Sequence, residues 1–223
     1  MGESVSWVDW FLSFKGNEFF CSVDEEFISD RFNLTGIGQD IPQFKKAYEL
    51  ITGSFGKPLR YRTQALTFID HDESDGEIRN VIEKSARHAY GLMHQRFILT
   101  TSGLEKMLEK YEQGVFGTCP RVLCNHTKLL PIGVSDLPNV EGVKLFCPHC
   151  EDIYNPKSAR HASIDGAYFG TTFAHMFIQT FPQFATATKS KQKYVPKIFG
   201  FRIADRSSKE NHFDSNNSNS MII

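Results

Sequence analysis

The apolar residues in the first half of the chain recur every three or four positions, as on one face of a helix. This spacing predicts a short helix with an aromatic face within residues 4–14 and a long helix from Ser74 to about Phe97. Between them, the pattern predicts a helix that begins at Pro42 and ends at Gly53.

Two further helical elements are predicted from their ends. Asp24 is suited to cap a short turn, and the apolar residues after it are expected to point inward. Those residues are Phe27, Ile28 and Phe32. The segment Ser102–Glu105 fits a capping box, which predicts a last helix that ends at Gly114. Residues 1–114 are therefore expected to form an all-helical domain.

The pattern changes after residue 114 to short runs rich in β-branched and aromatic residues. Turns at Gly133 and at Glu141-Gly142 separate two of these runs, and Ile153-Tyr154 with the AYFGTTF segment is expected to add a further strand. This layout is typical of a zinc ribbon on a small antiparallel sheet. We predict an α+β fold in which the helical domain packs on a zinc-ribbon β domain, residues 115–185.

Four of the five cysteines occur as two close pairs, Cys119 and Cys124 in CPRVLC and Cys147 and Cys150 in CPHC. Two pairs on separate turns can place four thiolates at the corners of a tetrahedron, the arrangement that zinc prefers in structural sites. A proline follows the first cysteine of each pair and favours a tight turn. Four thiolates leave no open coordination position, so the predicted zinc is structural rather than catalytic.

The alternatives for these cysteines are buried free thiols or disulfides. Disulfides need an oxidising compartment, and the N-terminal sequence has no basic region followed by an apolar run. His126 and His149 lie close by in sequence, but four cysteines already complete a site, so we expect neither histidine to be a ligand. The fifth cysteine, Cys21, is expected to be a buried thiol because no histidine lies near it in sequence.

A basic segment, TATKSKQK, begins at Thr186 and is followed by KYVPKIFGFRI. Residues 186–204 are predicted to form an extended arm whose apolar residues share one side. These residues are Val195, Phe199, Phe201 and Ile203. The arm could pack on its own domain as a strand, but exposed aromatic residues in an extended segment favour docking to a partner. Residues 205–223 are polar and of low complexity, and we expect them to be disordered.

Charge and motifs exclude several classes of protein. The chain has 25 basic and 26 acidic side chains, and this balance argues against binding to nucleic acid through a strong basic field. A zinc-ribbon nucleic-acid-binding module remains the alternative, although Lys157, Arg160 and His161 form only a small basic cluster. No apolar run is long enough to span a membrane. Because no Walker loop, kinase glycine loop, HRD or DFG motif occurs, we do not expect an enzyme.

Acidic residues are concentrated where the long helix is predicted to begin. They are Asp70, Asp72, Glu73, Asp75 and Glu77. Their spacing does not fit a calcium-binding loop, but negative charge at a helix N-terminus offsets the helix dipole. We expect this acidic patch to be either a solvated loop or a face that binds ions or polyamines.

The chain resembles the regulatory beta subunit family of casein kinase II over about residues 5–204. The resemblance rests on ten sequence blocks in the order of the family: SWVDWF, GNEFFCSVDEEFI, DRFNLTG, YGLMHQRFILT, MLEKYEQGVFGTCPR, LPIGVSDLP, KLFCPHC, YNPKSARH, DGAYFGT and VPKIFGFRI. It implies that the four paired cysteines bind zinc and that the zinc-binding regions of two copies form a homodimer.

The resemblance also implies a partner for the arm, the catalytic kinase subunit. Phe199 and Phe201, on either side of Gly200, would anchor that subunit, with Met176 contributing beside them. The implied assembly is a cytoplasmic and nuclear heterotetramer of two regulatory and two catalytic chains. Kinase substrates or polyamines are further implied partners, and neither nucleic acid nor membrane is expected.

Three features of the chain depart from the pattern of the family and suggest a divergent paralogue. The family begins with a serine-glutamate run that its own kinase phosphorylates, whereas here Ser6 has an acidic residue three positions later, Asp9, and becomes the candidate phosphoacceptor. A basic LRYRT segment replaces the acidic loop of the family, and the acidic residues lie at 70–77 instead. Position 199 is Phe where Tyr is common, so a phenolic hydrogen bond would be absent.

Overall fold

The computed structural model describes residues 5–54, 73–185 and 195–203. The chain divides into two compact units, Met1–Ala187 and Thr188–Ile223. The first unit combines helices with a small sheet, so the predicted α+β class is confirmed.

The first helix, α1 (Trp7–Leu12), carries the predicted aromatic face. Both of its tryptophans and Phe11 are buried, and the rings of Trp7 and Phe11 stack with their centroids 5.3 Å apart. The helix begins after Ser6, whose hydroxyl accepts a hydrogen bond from the backbone N–H of Asp9 at 3.0 Å. A helix this short is stabilised mainly by the burial of its apolar face.

The second helix, α2 (Glu25–Ser29), follows Asp24 as predicted, but the side chain of Asp24 does not cap it. The Asp24 carboxylate instead accepts a hydrogen bond from the hydroxyl of Ser102 at 2.7 Å. The prediction that Phe32 points inward is wrong, because its side chain is 82% exposed. A turn in which the Asp30 carboxylate accepts a hydrogen bond from the Phe32 N–H, at 2.9 Å, accompanies this outward position.

Three longer helices lie where the sequence pattern places them. They are α3 (Phe44–Ile51), α4 (Glu73–Phe97) and α5 (Thr101–Glu112). The cap of α5 is Thr100, whose hydroxyl accepts a hydrogen bond from the Gly103 N–H at 3.1 Å. The predicted capping box at Ser102 is therefore wrong, because that serine lies inside the helix and donates to Asp24.

The long helix α4 contributes fully buried side chains to the core of the first unit, among them Tyr90 and Met93. Gly91 permits a close approach, since a Cβ at this position would overlap the ring of Tyr168. One hydrophobic cluster includes residues of α4 and residues of the sheet-containing region. The helical and sheet-containing regions therefore share a core.

The predicted antiparallel sheet is present in the first unit. Its described strands are β1 (Leu130–Ile132), β2 (Lys144–Phe146) and β3 (Ile153–Tyr154). They lie in the order β1, β2, β3, and both neighbouring pairs are antiparallel. Leu130 is opposite Phe146, and Leu145 is opposite Tyr154. Since Cys147 directly follows β2, the sheet holds one side of the cysteine cluster.

The segment AYFGTTF, residues 167–173, forms turns between two helical segments, so the prediction that it adds a strand is wrong. Its first two residues belong to the 3-10 turn Gly166–Tyr168, in which an oxygen of the Asp165 carboxylate accepts a hydrogen bond from the Ala167 N–H at 3.0 Å. This local cap favours a helical turn over an extended chain. The described helical segments after β3 also include α6 (Ala159–Ala162), α7 (Phe173–Thr180) and the 3-10 turn Pro182–Phe184.

The described part of the second unit is a β-hairpin rather than a simple extended arm. Its strands are β4 (Lys197–Ile198) and β5 (Phe201–Arg202). The two residues between the strands, Phe199 and Gly200, have φ angles of 49° and 85°. Positive φ at both central positions is the requirement of the type I′ turn, whose twist matches paired strands.

Helix length and polarity bear on membrane insertion. The longest described helix, α4, has 25 residues and includes charged side chains along its length. Within the described ranges, no helix is both long enough and apolar enough to cross a membrane.

Candidate metal centre

The structure brings the four predicted cysteines together. Their Sγ atoms all lie within 4.8 Å of one another, and all four residues are buried. The Sγ atoms of Cys119 and Cys150 are 3.9 Å apart, and none of the four forms a disulfide. Tetrahedral Zn–S bonds of about 2.3 Å place sulfurs about 3.8 Å apart. The cluster could therefore hold a metal ion and is compatible with zinc.

The first cysteine pair is held by a tight turn. Cys124 ends the 3-10 turn Val122–Cys124, and the next two residues have positive φ angles of 45° and 57°. The Cys119 N–H donates to the carbonyl oxygen of Thr127 at 2.8 Å, and the Thr127 N–H donates to that of Cys124 at 2.9 Å. These bonds bring the two sulfurs to the same side of the turn.

The second pair lies in the turn between β2 and β3. The Glu151 N–H donates to the carbonyl oxygen of Cys147 at 2.9 Å, and the Cys147 N–H donates to that of Asp152 at 3.0 Å. Backbone N–H groups of His149 and Cys150 are directed at the Cys147 sulfur. Amides in this position stabilise thiolate ligands.

Burial and hydrogen bonds act differently on the thiols. Burial raises the pKa of Cys124 to about 11, and it also raises the pKa of Cys147. Burial acts in the same direction on Cys150, but hydrogen bonds from the Tyr154 hydroxyl and the Asp152 N–H lower the pKa of Cys150 below its usual value. Cys150 is thus the thiol of these three that is best prepared to become a thiolate, and metal binding has to displace the protons of Cys124 and Cys147 against their raised pKa values.

The two histidines close in sequence are not part of the cluster. His126 is exposed and His149 is half-buried. Among the described residues, the group of His, Cys, Asp and Glu side chains arranged to hold a metal consists of the four cysteines.

The residues predicted to dock a kinase subunit lie in both units. Met176 is on α7 in the first unit and is 40% exposed. In the hairpin of the second unit, Phe199 is 97% exposed and Phe201 is 79% exposed. Large apolar side chains with this much exposure are typical of interaction surfaces.

Most of the predicted acidic patch lies outside the part of the chain that can be described. Asp70 and Asp72 lie between two described ranges, and the side chains of Glu73 and Asp75 are also outside the described part. Glu77 is exposed on α4. The role of the acidic patch as a binding face therefore stays a prediction.

The candidate phosphoacceptor Ser6 is exposed at the start of α1, where its hydroxyl donates to the Asp9 carboxylate at 2.7 Å. The same hydroxyl oxygen caps the helix. A phosphate at Ser6 would therefore replace an existing pair of local hydrogen bonds.

Sequence reasoning missed a buried contact between Cys21 and His94. The Sγ atom of Cys21 and the Nε2 atom of His94 are 3.5 Å apart, and that Nε2 atom accepts a hydrogen bond from the Cys21 N–H at 3.1 Å. Burial raises the pKa of the Cys21 thiol to about 12. Cys21 is thus a buried thiol as predicted, but a histidine does lie beside it. The two residues are 73 positions apart, and no local sequence signal links them.

The fold and the cysteine cluster define an α+β protein with a candidate metal-binding lobe. The family model of the casein kinase II regulatory subunit matches residues 6–202, and the chain belongs to this family. It is 53% identical over 201 residues to casein kinase II subunit beta of Schizosaccharomyces pombe, covering 90% of this chain and 80% of that protein.

Two other relatives support the same assignment. The chain is 44% identical over 201 residues to casein kinase II subunit beta′ of Drosophila melanogaster, covering 90% of this chain and 85% of the relative. It is 50% identical over 197 residues to casein kinase II subunit beta-2 of Neurospora crassa, covering 88% of this chain but 64% of that protein. Membership in this family makes the chain a regulatory, non-catalytic subunit, which is expected to partner with a catalytic kinase subunit.

Proposed function

We propose that this chain dimerises through a zinc-binding region and assembles two catalytic subunits of a Ser/Thr protein kinase of the casein kinase II type. The observation that carries the proposal is the cluster of four buried cysteines beside exposed apolar surface. Membership in the regulatory family supports the kinase as the partner.

Zinc is the proposed occupant of the cysteine cluster, with Cys119, Cys124, Cys147 and Cys150 as ligands. Four thiolates favour zinc over hard cations such as magnesium or calcium, which take oxygen ligands. The role of the ion is to stabilise the fold. It would join the turn that follows α5 to the turn that follows β2, and thereby fix the surface that surrounds them.

The dimer surface is proposed to lie on the zinc-binding region. Val122 is 88% exposed and Ile153 is 51% exposed. Pro120, two residues before Val122, and Tyr154, which follows Ile153, line a groove of about 540 Å³ that also includes Pro156. Exposed apolar residues beside an apolar groove are suited to an isologous contact, in which each copy contributes the same patch. A second copy is therefore the proposed occupant.

The catalytic subunit is proposed to bind the hairpin of the second unit. Phe199 and Phe201 together offer two rings, and burial of a large apolar side chain contributes roughly 1.5 to 3 kcal/mol. Met176, on α7 in the first unit, is proposed to contact the catalytic subunit as well. Such an interaction is tight but reversible, because part of the gain offsets the ordering of both partners.

Each part of the chain is proposed to have its own role in the assembly. Residues 1–114 form the helical part and residues 115–185 the zinc-binding, dimer-forming part. Residues 186–204 hold the kinase. The predicted tail, residues 205–223, lies outside the described residues. The acidic residues at 70–77 bind polyamines or kinase substrates, and Ser6 accepts phosphate. The assembly acts in the cytoplasm and nucleus.

Reconstitution with a recombinant catalytic subunit of casein kinase II tests the proposal. Light scattering of the purified chain should give the mass of a dimer with one zinc per chain. Addition of the catalytic subunit should give a complex of two regulatory and two catalytic chains. The purified chain alone should transfer no phosphate. A monomeric chain that still binds the kinase would contradict the dimer, and a dimer that does not bind the kinase would contradict the docking function.

A further inference from the structure

One side chain joins the cysteine cluster to the groove beside it. The hydroxyl oxygen of Tyr154 lies 3.2 Å from the Sγ atom of Cys150, and the Tyr154 residue also lines the apolar groove. A hydroxyl is a donor that can bind a thiolate, and a donor to a metal-bound thiolate affects how firmly that ligand holds the ion.

The backbone fixes the position of this tyrosine. Tyr154 is in β3, opposite Leu145 of β2, and Cys147 lies two residues after Leu145. The same short sheet therefore carries both the tyrosine and one turn of the cluster. The Tyr154 side chain is half-buried, so the bond to Cys150 is partly shielded from water.

We propose that Tyr154 couples metal retention to the pairing of two copies. Its hydroxyl positions the Cys150 thiolate, while its ring forms part of the surface that the second copy covers. The hydroxyl role depends only on the cysteine cluster, whereas the ring role rests on the proposed dimer. A substitution that removes the hydroxyl and keeps the ring separates the two.

Tyr154→Phe is that substitution, tested in the full chain loaded with zinc. The rate of zinc release to a chromogenic chelator should rise roughly 10- to 100-fold, the usual effect of losing an outer hydrogen bond to a metal ligand. With Co²⁺ in place of zinc, the thiolate-to-cobalt charge-transfer band should shift to lower energy, because the sulfur lone pairs lose their donor. The dimer should persist at saturating zinc because the ring is retained.

Two further variants complete the test. Tyr48→Phe is the matched control, since the Tyr48 hydroxyl donates to the carbonyl oxygen of Ile28, also at 3.2 Å, in the helical part. Its zinc release and cobalt spectrum should equal those of the wild type. Tyr154→Ala removes the ring as well and should give a monomer with fast zinc release.

The outcomes test the role of the Tyr154 hydroxyl separately from the proposed dimer, on which the role of the ring rests. Wild-type rates and an unshifted cobalt band in Tyr154→Phe would overturn the hydroxyl role. A dimeric Tyr154→Ala would overturn the coupling. A wild-type chain that is monomeric would contradict the proposed dimer, and the release rate of Tyr154→Phe would still decide the hydroxyl role. A wild-type chain that binds neither Zn²⁺ nor Co²⁺ would overturn both.

Discussion

The Nδ1 atom of His94 lies 2.9 Å from the backbone carbonyl oxygen of Tyr168. His94 is fully buried on α4, and its other ring nitrogen accepts the N–H of Cys21. One neutral imidazole thus donates to the 3-10 turn after the sheet and accepts from the segment after α1. This arrangement requires the neutral ring, since a protonated imidazole has no acceptor nitrogen.

The stability of the protein should therefore fall in mild acid. Burial lowers the pKa of His94 from an ordinary value near 6.5 to about 4. Below about pH 6.5 this histidine takes up a proton in the unfolded chain but not in the folded chain. The contribution of His94 to the free energy of unfolding is therefore complete above pH 6.5 and is lost as the pH falls toward 4. The loss should amount to about 3 kcal/mol, measured by urea unfolding at a series of pH values.

The histidine variant and a control distinguish this effect from acid release of metal. His94→Gln should be less stable than the wild type at pH 7. The difference between their free energies of unfolding should become smaller as the pH falls to 4. His126→Gln changes an exposed histidine and should follow the wild-type curve. A constant gap between His94→Gln and the wild type over this range would contradict the prediction.

Loss of one cysteine ligand should remove the metal. Cys147→Ser replaces a soft thiolate by a hydroxyl, and bound zinc, measured by atomic emission, should fall from about one ion per chain to nearly none. Because metal binding supplies folding free energy to this region, the variant should elute as a monomer or aggregate. Cys21→Ala, which removes the cysteine outside the cluster, should retain its zinc. A Cys147→Ser variant that remains a dimer without zinc would contradict the structural role of the ion.

A charge on the proposed dimer surface should separate the two copies. Val122→Asp places a carboxylate on a residue that the second copy is proposed to cover. Burial of an unpaired charge is costly, so the dimer dissociation constant should rise on the order of 100-fold, measured by analytical ultracentrifugation. Leu137→Asp is the matched control, because Leu137 is 70% exposed in a loop outside the proposed surface. If Val122→Asp remains as tight a dimer as Leu137→Asp, the copies pair elsewhere.

The hairpin should carry most of the affinity for the kinase. The double variant Phe199→Ala and Phe201→Ala should weaken binding of the catalytic subunit at least on the order of 100-fold, as measured by calorimetry. Zinc content and the dimer should not change, since these rings are in the second unit. Phe32→Ala removes another highly exposed ring and serves as the control. Equal affinity in the double variant and the control would place the docking surface outside the hairpin.

Local signals in the sequence were sufficient for some features and insufficient for others. The cysteine pairs could be recognised because each pair lies in one tight turn and the ligand chemistry leaves few alternatives. The cap at Thr100 could not, because Ser102 is an equally good cap until a distant carboxylate, Asp24, takes its hydroxyl. The contact between Cys21 and His94 is similarly long-range.

The hairpin was missed for a different reason. Alternation of apolar residues predicts an extended segment, and phenylalanine is an unusual residue for a turn position with positive φ. Gly200 was the available signal, since glycine readily adopts the positive φ that a tight hairpin turn needs. The residues of the proposed docking site were thus predicted, but their local backbone was not.

The turn at Phe199-Gly200 has a consequence for the kinetics of kinase assembly. A left-handed conformation costs a non-glycine residue such as Phe199 roughly 1 to 2 kcal/mol. Because the free chain already has this conformation, binding does not add that cost. With the hairpin turn already formed, the turn itself loses little chain entropy during encounter. We therefore expect association to be as fast as for rigid proteins, and variants of the hairpin rings to differ mainly in the lifetime of the complex.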